Sequence, residues 1–487
     1  MEEWINIIKT VQQGEIRQIP AAENNPFLVG MHYWYSSSNP RSHFCNVCRE
    51  NIPALSRDAV TCEVCQVKSH KFCALRANKD CKWNTLSVTD DLLLPADEIQ
   101  TMPHQWVEGN IPAGSQCVVC HKSCGSHHRL QDFRCLWCGS TLVVSPDFWN
   151  LDWPLTCSCP LLIFINSKSG DHQGIIFLRK FKQYLNPSQV FDLAKGGPEA
   201  GIAMFKNFAR FRVLVCGGDG SVSWVLSTID AYGLHDRCQL AIIPLGTGND
   251  LARVLGWGAV WSKGTSPLDI LSRVEQAHVR ILDRWSVMIR ETPRQAPRFK
   301  EKCVMNNYFG IGLDAKISLE FNSRREEHPE QYNSRLKNKI WYGLLGSKEL
   351  LQRSYRKLEE RIHLECDGEA VSLPNLQGIV VLNITSYAGG VNFWGRNRAT
   401  TEYDVPAIND GKLEVVAIFG SVQMAMSRIV NLQQHRIAQC HEVVITIDGE
   451  DGVPVQVDGE AWIQKPGLIK IKYKNVAQML MRDRVRE

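Results

Sequence analysis

The sequence predicts a multidomain chain: small β-rich modules built on metal ligands, then an α/β subdomain with a parallel sheet, then an antiparallel β-sandwich. Three observations predict it. His and Cys residues between 32 and 138 recur at zinc-ligand spacings. Apolar runs at 161–165, 213–216 and 240–245 each lead into a small Gly-containing loop, as strands of a parallel sheet do where they present a ligand site. After residue 304, short β-rich runs alternate with turn residues, for which two packed antiparallel sheets are the natural solution.

The modules come first in the chain. His32, Cys45, Cys48, Cys62, Cys65, His70, Cys73 and Cys81 supply eight thiol or imidazole ligands, enough for two closed tetrahedral Zn²⁺ sites. A unit of about 50 residues cannot bury a self-sufficient core, so metal binding must supply much of its folding free energy. A second copy begins with His104, Cys117, Cys120, Cys135 and Cys138 and then departs from the pattern. Val143 and Pro146 stand where His and Cys are called for. Cys157 or Cys159 would complete one site by a detour, and Cys124, His127 or His128 are the available substitutes in the other. The simplest reading is a truncated finger, with Ser145-Pro-Asp-Phe-Trp-Asn150 as a shortened linker.

The α/β region carries the densest signal. In Val213-Leu-Val-Cys-Gly-Gly-Asp-Gly-Ser221 an apolar strand runs into Gly217, Gly218, Asp219, Gly220 and Ser221 and then into an amphipathic helix. Glycines let backbone N–H groups approach a phosphate, and a helix N-terminus adds partial positive charge. Asp219 is placed to serve a Mg²⁺ ion or a proton. A second loop holds Gly246, Thr247, Gly248, Asn249 and Asp250, and an earlier one Asn166, Ser167, Lys168, Ser169 and Gly170. The pattern Gly-x4-Gly-Lys-[Ser/Thr] is absent, which excludes a P-loop NTPase. Asp250 could instead cap its own helix, Asp283 could pair in the neighbourhood of Arg284, and Asp458-Gly459 is also a good hairpin turn. Asp410-Gly411 reads either as a turn or as a structural Mg²⁺ site.

The basic, Pro-containing stretch Arg290–Lys302 reads as an exposed linker, and Ser347–Glu360 as a helix. Strands are expected at 378–383, 413–419 and 442–447. A net charge of +4 on 487 residues argues against a nucleic-acid binder and suits modest attraction to anionic lipid. Acids follow Met1 where a signal peptide would carry bases, and no apolar run reaches the ~20 residues of a membrane-spanning helix. The expectation is a cytoplasmic chain acting at a membrane surface.

The set Asn166–Gly170, Gly217–Gly220 and Pro244–Arg253 resembles the catalytic domain of the eukaryotic diacylglycerol kinases. The resemblance continues through Leu282-Asp-Arg-Trp285, Met305–Asp314 and Val455–Trp462, covering 160–487, and the wording of 350–355 and 386–390 is similar to the type II (delta/eta/kappa) branch. The first finger resembles the protein-kinase-C type, which implies one ion on His32, Cys62, Cys65 and Cys81 and the other on Cys45, Cys48, His70 and Cys73. Trp4, Ile7, Ile8 and Val11 form an apolar stripe, either the terminal helix of a pleckstrin-homology domain or an ordinary N-terminal helix. The implied domains are 1–31, that helix and a linker; 32–81, finger one; 82–103, a linker; 104–145, the incomplete finger two; 160–290, the catalytic subdomain; 291–303, a linker; and 304–487, the accessory subdomain.

The resemblance implies transfer of the ATP γ-phosphoryl to 1,2-diacylglycerol at a membrane face, yielding phosphatidic acid, with Mg²⁺ and structural Zn²⁺. Backbone amides of 217–221 and 246–248 would hold phosphates, with Asn166 and Asn249 at the loop ends and Lys168 adding a point charge. Asp458 is favoured as base and Asp219 for metal or nucleotide, the reverse remaining open, with Asp250, Asp283 and Glu460 as further acids. Positions that frame the lipid slot in lipid-binding fingers hold Ser42, Ala54 and Asp58, all different from that family's Pro, Gly and Gln, so finger one is expected to dock partners or regulate. The alternatives are a catalytically weak regulatory form that binds lipid or partner chains, and a sphingoid-type lipid kinase.

Overall fold

The computed structural model describes residues 32, 34–39, 41–62, 65–77, 102–103, 106–112, 114–135, 139–143, 156–157, 161–170, 173–185, 189–206, 208, 210–261, 265–291, 298–327, 358–395, 403–419 and 435–482. The N-terminal stripe, Cys81, His104, Cys138, Pro146 and Cys159 lie outside the described residues. Two compact units divide the chain.

The first unit runs through Ile165 and takes in Phe177–Val213. Its fingers repeat one plan. In finger one, Ala59–Cys62 pairs with Trp34–Ser36 on one side and Lys68–His70 on the other, beside a small hairpin of His43–Phe44 and Asn51–Ile52. Finger two repeats this with Trp106–Glu108, Phe133–Cys135 and Thr141–Leu142, and a hairpin of Ser115–Gln116 and Ser123–Cys124. Among the described residues of finger one, the buried cluster of Cys45, Ile52 and Ala59 is small, and most of the other buried positions are Val60, Ala74 and the ligand cysteines Cys62 and Cys65, too little to hold a fold without further bonds. Asn110 joins the fingers: its side chain exchanges two 2.9 Å hydrogen bonds with the backbone of Phe44, and Asn46 donates to the Glu108 carbonyl at 2.7 Å.

In the same unit, β1 (Leu161–Ile165) lies parallel to β2 (Val190–Asp192), Ile163 opposite Val190. Four of β1's five residues are buried, as a strand covered on both faces requires.

The second unit comprises Asn166–Ile176 and Leu214 onward. Strand β3 (Phe211–Gly217) enters it and leads through Gly218 into α1 (Asp219–Ala231), which buries Val222, Val225, Leu226 and Ile229 at helical spacing. Strand β4 (Cys238–Pro244) leads to the short helix α2 (Asp250–Val254). Helix α3 (Pro267–Gln276) starts from a capping box of Ser266 and Asp269.

Long strand β5 (His278–Glu291) turns back into β6 (Lys300–Met305), with Trp285 opposite Met305 and Ile289 opposite Lys300. The expected linker 290–302 is thus folded at both ends into a hairpin; its apolar positions are too few to show a period in sequence.

The sandwich follows. One sheet has the order β12 (His435–Cys440), β11 (Leu413–Ile418), β10 (Gly378–Leu382), β7 (Tyr308–Gly312), β14 (Val453–Val457), β15 (Glu460–Gln464), all antiparallel. The other contains β8 (Ile362–Cys366), β9 (Glu369–Val371), β13 (Glu442–Ile447) and the 15-residue β16 (Gly467–Met481). Ile379, Val381, Val415, Val455, Ile445 and Ile471 interleave between the sheets. On the outer face of the first sheet, Val380, Leu382 and Val416 pack against α4 (Leu313–Glu327) and the loop carrying Tyr387, Phe393 and Trp394. Residues 378–382 and 415–418 are therefore apolar at consecutive positions because both faces are covered.

One expectation falls mostly outside the described residues, and one outcome adds to the sequence reading. Residues 347–357 lie outside the described residues, and Leu358–Glu360 is a single 3₁₀ turn. Strand β16 pairs along its whole length with β5 and also parallel to β4, Gln239 opposite Gln478, so the sandwich and the α/β part share a strand. Among the described residues no helix is long and apolar enough to cross a membrane.

Candidate functional site

At the end of β3 the backbone turns sharply, and Gly218 becomes the N-cap of α1 in an extended conformation. A Cβ on Gly218 would lie 3.0 Å from the Gly246 Cα, and one on Gly246 would lie 2.5 Å from the Gly218 Cα. The two loops touch backbone to backbone, which explains both glycines without reference to a ligand. Asn166 steadies the first loop: its N–H donates to the Cys216 carbonyl at 3.0 Å and its Nδ2 to the Ser221 hydroxyl at 3.1 Å. Its Oδ1 accepts from the Lys168 N–H at 3.1 Å, while the Lys168 side chain is exposed.

Asp219 opens α1 and caps a different helix. Its Oδ2 accepts from the Asp250 N–H at 3.0 Å and its Oδ1 from the Leu251 N–H at 3.3 Å, both orphan donors at the start of α2. Burial, and after it the neighbouring Asp250 charge, pushes the Asp219 carboxyl up to about 7.

Asp250, expected near nucleotide or as a cap for its own helix, has other partners. Its carboxylate accepts from the Ser386 hydroxyl at 2.6 Å and from the N–H groups of Gly389 and Gly390 at 2.9 to 3.0 Å. Asn249, in the left-handed region at φ +54°, donates to the carbonyls of Gly246 and Ala259 at 2.8 Å, and its buried Oδ1 is without a partner beside Gly218 and Gly246.

Asp458 sits in a tight turn at φ +50° between β14 and β15. Its Oδ2 accepts from the Asn306 N–H at 2.9 Å, the Asn306 Nδ2 at 3.1 Å and the Ser223 hydroxyl at 3.4 Å. Its Oδ1 accepts from the N–H groups of Asn307 and Tyr308 at 2.8 and 3.0 Å. Burial raises its proton affinity and these amides oppose the rise. Glu460 begins β15, is exposed, and places an oxygen 3.8 Å from where a Gly220 Cβ would be. Asp219, Asp458 and Glu460 thus meet around the first turn of α1.

Asp283 has a structural role: its Oδ2 accepts from the Gly411 N–H at 2.7 Å. Asp410 accepts from the N–H groups of Ala407 and Lys412, the pattern of a turn.

In finger one the ligand atoms of Cys45, Cys48, His70 and Cys73 lie within 4.8 Å of one another, as do those of His32, Cys62 and Cys65. The thiolate and imidazole donors suit Zn²⁺. In finger two, backbone N–H groups of Val119, Cys120 and Val143 surround the Cys117 sulfur as those of Val47, Cys48 and His70 surround Cys45. Val143 therefore occupies the position of a ligand histidine. Cys124 fills the core with Ile111, Cys117 and Leu142, at the place Ile52 holds in finger one, while His127 and His128 are exposed. Among the described residues finger two gathers no group of three ligands.

Family models match in the same order as these parts. That for the phorbol esters/diacylglycerol binding domain (C1 domain) matches 32–84, for the diacylglycerol kinase catalytic domain 160–283, and for the diacylglycerol kinase accessory domain 304–461. Diacylglycerol kinase kappa of Homo sapiens is 55% identical, over 99% of this chain and 58% of that protein. Diacylglycerol kinase delta of Mus musculus is 35% identical over 100% of this chain and 67% of its own length, and diacylglycerol kinase eta of Mesocricetus auratus 35% identical over 100% and 70%. The chain belongs to the diacylglycerol kinase family.

It spans 58% of the kappa relative's length. The alignment to kappa runs over 742 positions against 487 residues here, so the relative carries extra residues interleaved with this chain. A diacylglycerol kinase structure from Bacillus anthracis str. Sterne is 18% identical, with a TM-score of 0.43 over 67% of this chain and 97% of that one.

For this diacylglycerol kinase chain, sequence reasoning missed Ser223, Asn306 and Ser386 as partners of the site acids. Ser386 and Asn306 stand in the segments that carry the family resemblance, but neither has a neighbour in sequence that reveals its partner. Their partners are 136 and 152 residues away.

Proposed function

We propose that this chain catalyses transfer of the γ-phosphoryl group of ATP to the free hydroxyl of 1,2-diacylglycerol at a membrane surface, releasing ADP and phosphatidic acid. The observation that carries this reading is the meeting of Asp219, Asp458 and Glu460 around the first turn of a helix that follows a glycine turn. Phosphoryl transfer needs donors for the phosphate oxygens and a carboxylate for the hydroxyl proton. The backbone amides of 217–221 and 246–248 are the donors, and the unpartnered Asn249 Oδ1 lies beside them.

We assign the proton to Asp219, a carboxyl held near 7 whose oxygens accept two hydrogen bonds, rather than to Asp458, whose oxygens already accept five. The lipid oxygen bonds to phosphorus as the bond to the ADP oxygen breaks. The exposed, oxygen-only carboxylate of Glu460 suits Mg²⁺, which would when bound neutralise phosphate charge. Zn²⁺ is assigned to the two ligand groups of finger one, with Cys81 as fourth ligand to the second. Finger one is assigned to docking or regulation, with Ser42, Ala54 and Asp58 exposed.

The test is transfer of labelled γ-phosphate to diacylglycerol in mixed micelles by the chain as given, by Asp219→Ala and by Asp458→Ala. Phosphatidic acid from the parent and strong loss in both variants supports the reading. A folded, zinc-loaded parent that makes none overturns it in favour of a regulatory form, and preference for a sphingoid base overturns the substrate.

A further inference from the structure

Arg284 is buried completely, an unusual place for a guanidinium. Strand β5 runs Asp283, Arg284 and Trp285 in succession with all three buried, and its register with β16 shifts between Arg284 and Trp285. Such a bulge re-aims consecutive side chains. Trp285 turns into the sandwich core, where its Nε1 donates to the Asn383 Oδ1 at 2.8 Å. Arg284 turns towards α1, where its Nη1 bonds both oxygens of Asp230 at 2.6 Å. Asn475 on β16 joins the same carboxylate at 2.9 Å.

The other arm of the guanidinium is the informative one. Arg284 Nε donates to the Asn306 Oδ1 at 2.9 Å, with both residues buried. An amide side chain has one accepting and one donating end, so a donor on Oδ1 dictates where Nδ2 points. Here Nδ2 reaches the Asp458 Oδ2 at 3.1 Å and the Ser223 hydroxyl at 3.0 Å. Flipped by half a turn, Asn306 would put its carbonyl oxygen against the Asp458 carboxylate and its NH₂ against the guanidinium, repulsive at both ends. The backbone of Asn306 is fixed independently, because its carbonyl accepts from Asn383 Nδ2 at 2.6 Å.

We propose that Arg284 is a positioning residue for phosphoryl transfer: it fixes the Asn306 amide so that Asn306 holds the Asp458 carboxylate against Ser223 on α1. The proposal rests on the kinase reading given above. Arg284 touches no reacting atom; it acts through Asn306, and its pairing with Asp230 ties the same arrangement to the far end of the helix whose first turn forms the site.

Arg284→Lys keeps the buried positive charge and its pairing with Asp230 but cannot serve Asp230 and Asn306 with one planar fork. The experiment measures kcat and KM for ATP and for diacylglycerol in micelles, with thermal melting, for the parent, Arg284→Lys, Asn306→Ala and the double variant. Expected for Arg284→Lys is a kcat lowered at least tenfold in folded protein, both KM values within about twofold of the parent, and little further loss when it is added to Asn306→Ala. A parent-like kcat in folded Arg284→Lys overturns the proposal. So does multiplication of the two losses in the double variant, since the residues would then act independently. If Arg284→Lys does not fold, the milder Asp230→Asn, which loosens Arg284 without removing it, must lower kcat, and parent-like kcat there overturns the proposal. A parent that makes no phosphatidic acid fails the kinase reading itself, a result distinct from any of these.

Discussion

Asp250, the first residue of α2, accepts a 2.6 Å hydrogen bond from Ser386 in the loop that follows β10, and two backbone amides of that loop share the same carboxylate. The bond joins the glycine-rich part of the second unit to its sandwich part. Removing the carboxylate with Asp250→Ala takes the partner from the Ser386 hydroxyl and the Gly389 amide, while the Gly390 amide keeps the Tyr387 carbonyl at 3.2 Å, and should lower unfolding free energy by about 2–4 kcal/mol. Denaturant titration measures this. Because the loops of 246–250 would shift, kcat/KM should fall by about a hundredfold. Ser386→Ala, which removes one of the donors, should show a smaller loss of the same kind.

Asp219 predicts a pH dependence whose sign follows from its elevated proton affinity. The folded chain holds this proton up to about pH 7, whereas the unfolded chain releases it near the ordinary carboxylate value. The group therefore costs nothing at low pH and destabilises the fold increasingly as pH rises to 7. Asp219→Asn, always neutral, should be more stable than the parent above pH 7 by about 1–2 kcal/mol, with the difference vanishing below pH ~4. The same variant should be inactive, and the parent's rate should rise with pH through about 7. Melting curves from pH 4 to 8 with parallel rate measurements check both statements.

Gly218→Ala and Gly246→Ala each push a methyl group into the other loop's backbone. Each should cost about 1–3 kcal/mol and raise the KM for ATP, because neither backbone has a side chain that can yield. Gly220→Ala meets nothing closer than the Glu460 carboxylate at 3.8 Å and should fold as stably as the parent. Thermal melting of the three variants separates these cases.

Val143 in the place of a ligand histidine and Cys124 in the place of a core isoleucine, with no group of three ligands among the described residues of finger two, predict that this finger holds no zinc. Metal analysis of the purified chain should find two zinc ions per molecule, both lost with unfolding of finger one on chelation. Three or more tightly bound ions would contradict this. Cys124→Val should leave both the zinc content and the melting temperature nearly unchanged, as a core position filled by a similar volume allows.

The sequence was legible where function rests on local pattern. Ligand spacing is a property of short segments, and the strand-to-loop-to-helix units announce themselves through apolar runs and glycines. The interleaved grouping of Cys45, Cys48, His70 and Cys73 against His32, Cys62 and Cys65 is the one the family resemblance implied. What escaped was the partner of each buried polar group. Asp250 looked like a helix cap or a nucleotide contact because an acid at a helix start usually is one of these, and only the fold brings Ser386 to it. The glycines at 218 and 246 were read as room for phosphate, whereas the structure shows that they also make room for each other. Arg284 could be quoted as part of a motif without a role, since its bonds reach to 230, 306 and 475.

Strand β16 has a consequence for how the chain is made. Its residue Gln478 lies beside Gln239, 239 positions earlier, and the same strand also completes the sheet formed by β5 and β13. On a ribosome, β4 would emerge long before this neighbour, leaving an unsatisfied edge exposed throughout translation of the sandwich. Such an edge invites pairing with other nascent chains. The polypeptide should therefore depend on chaperones during synthesis, and stop codons even a few residues before Gly467 should give aggregated product in place of a shortened, folded chain.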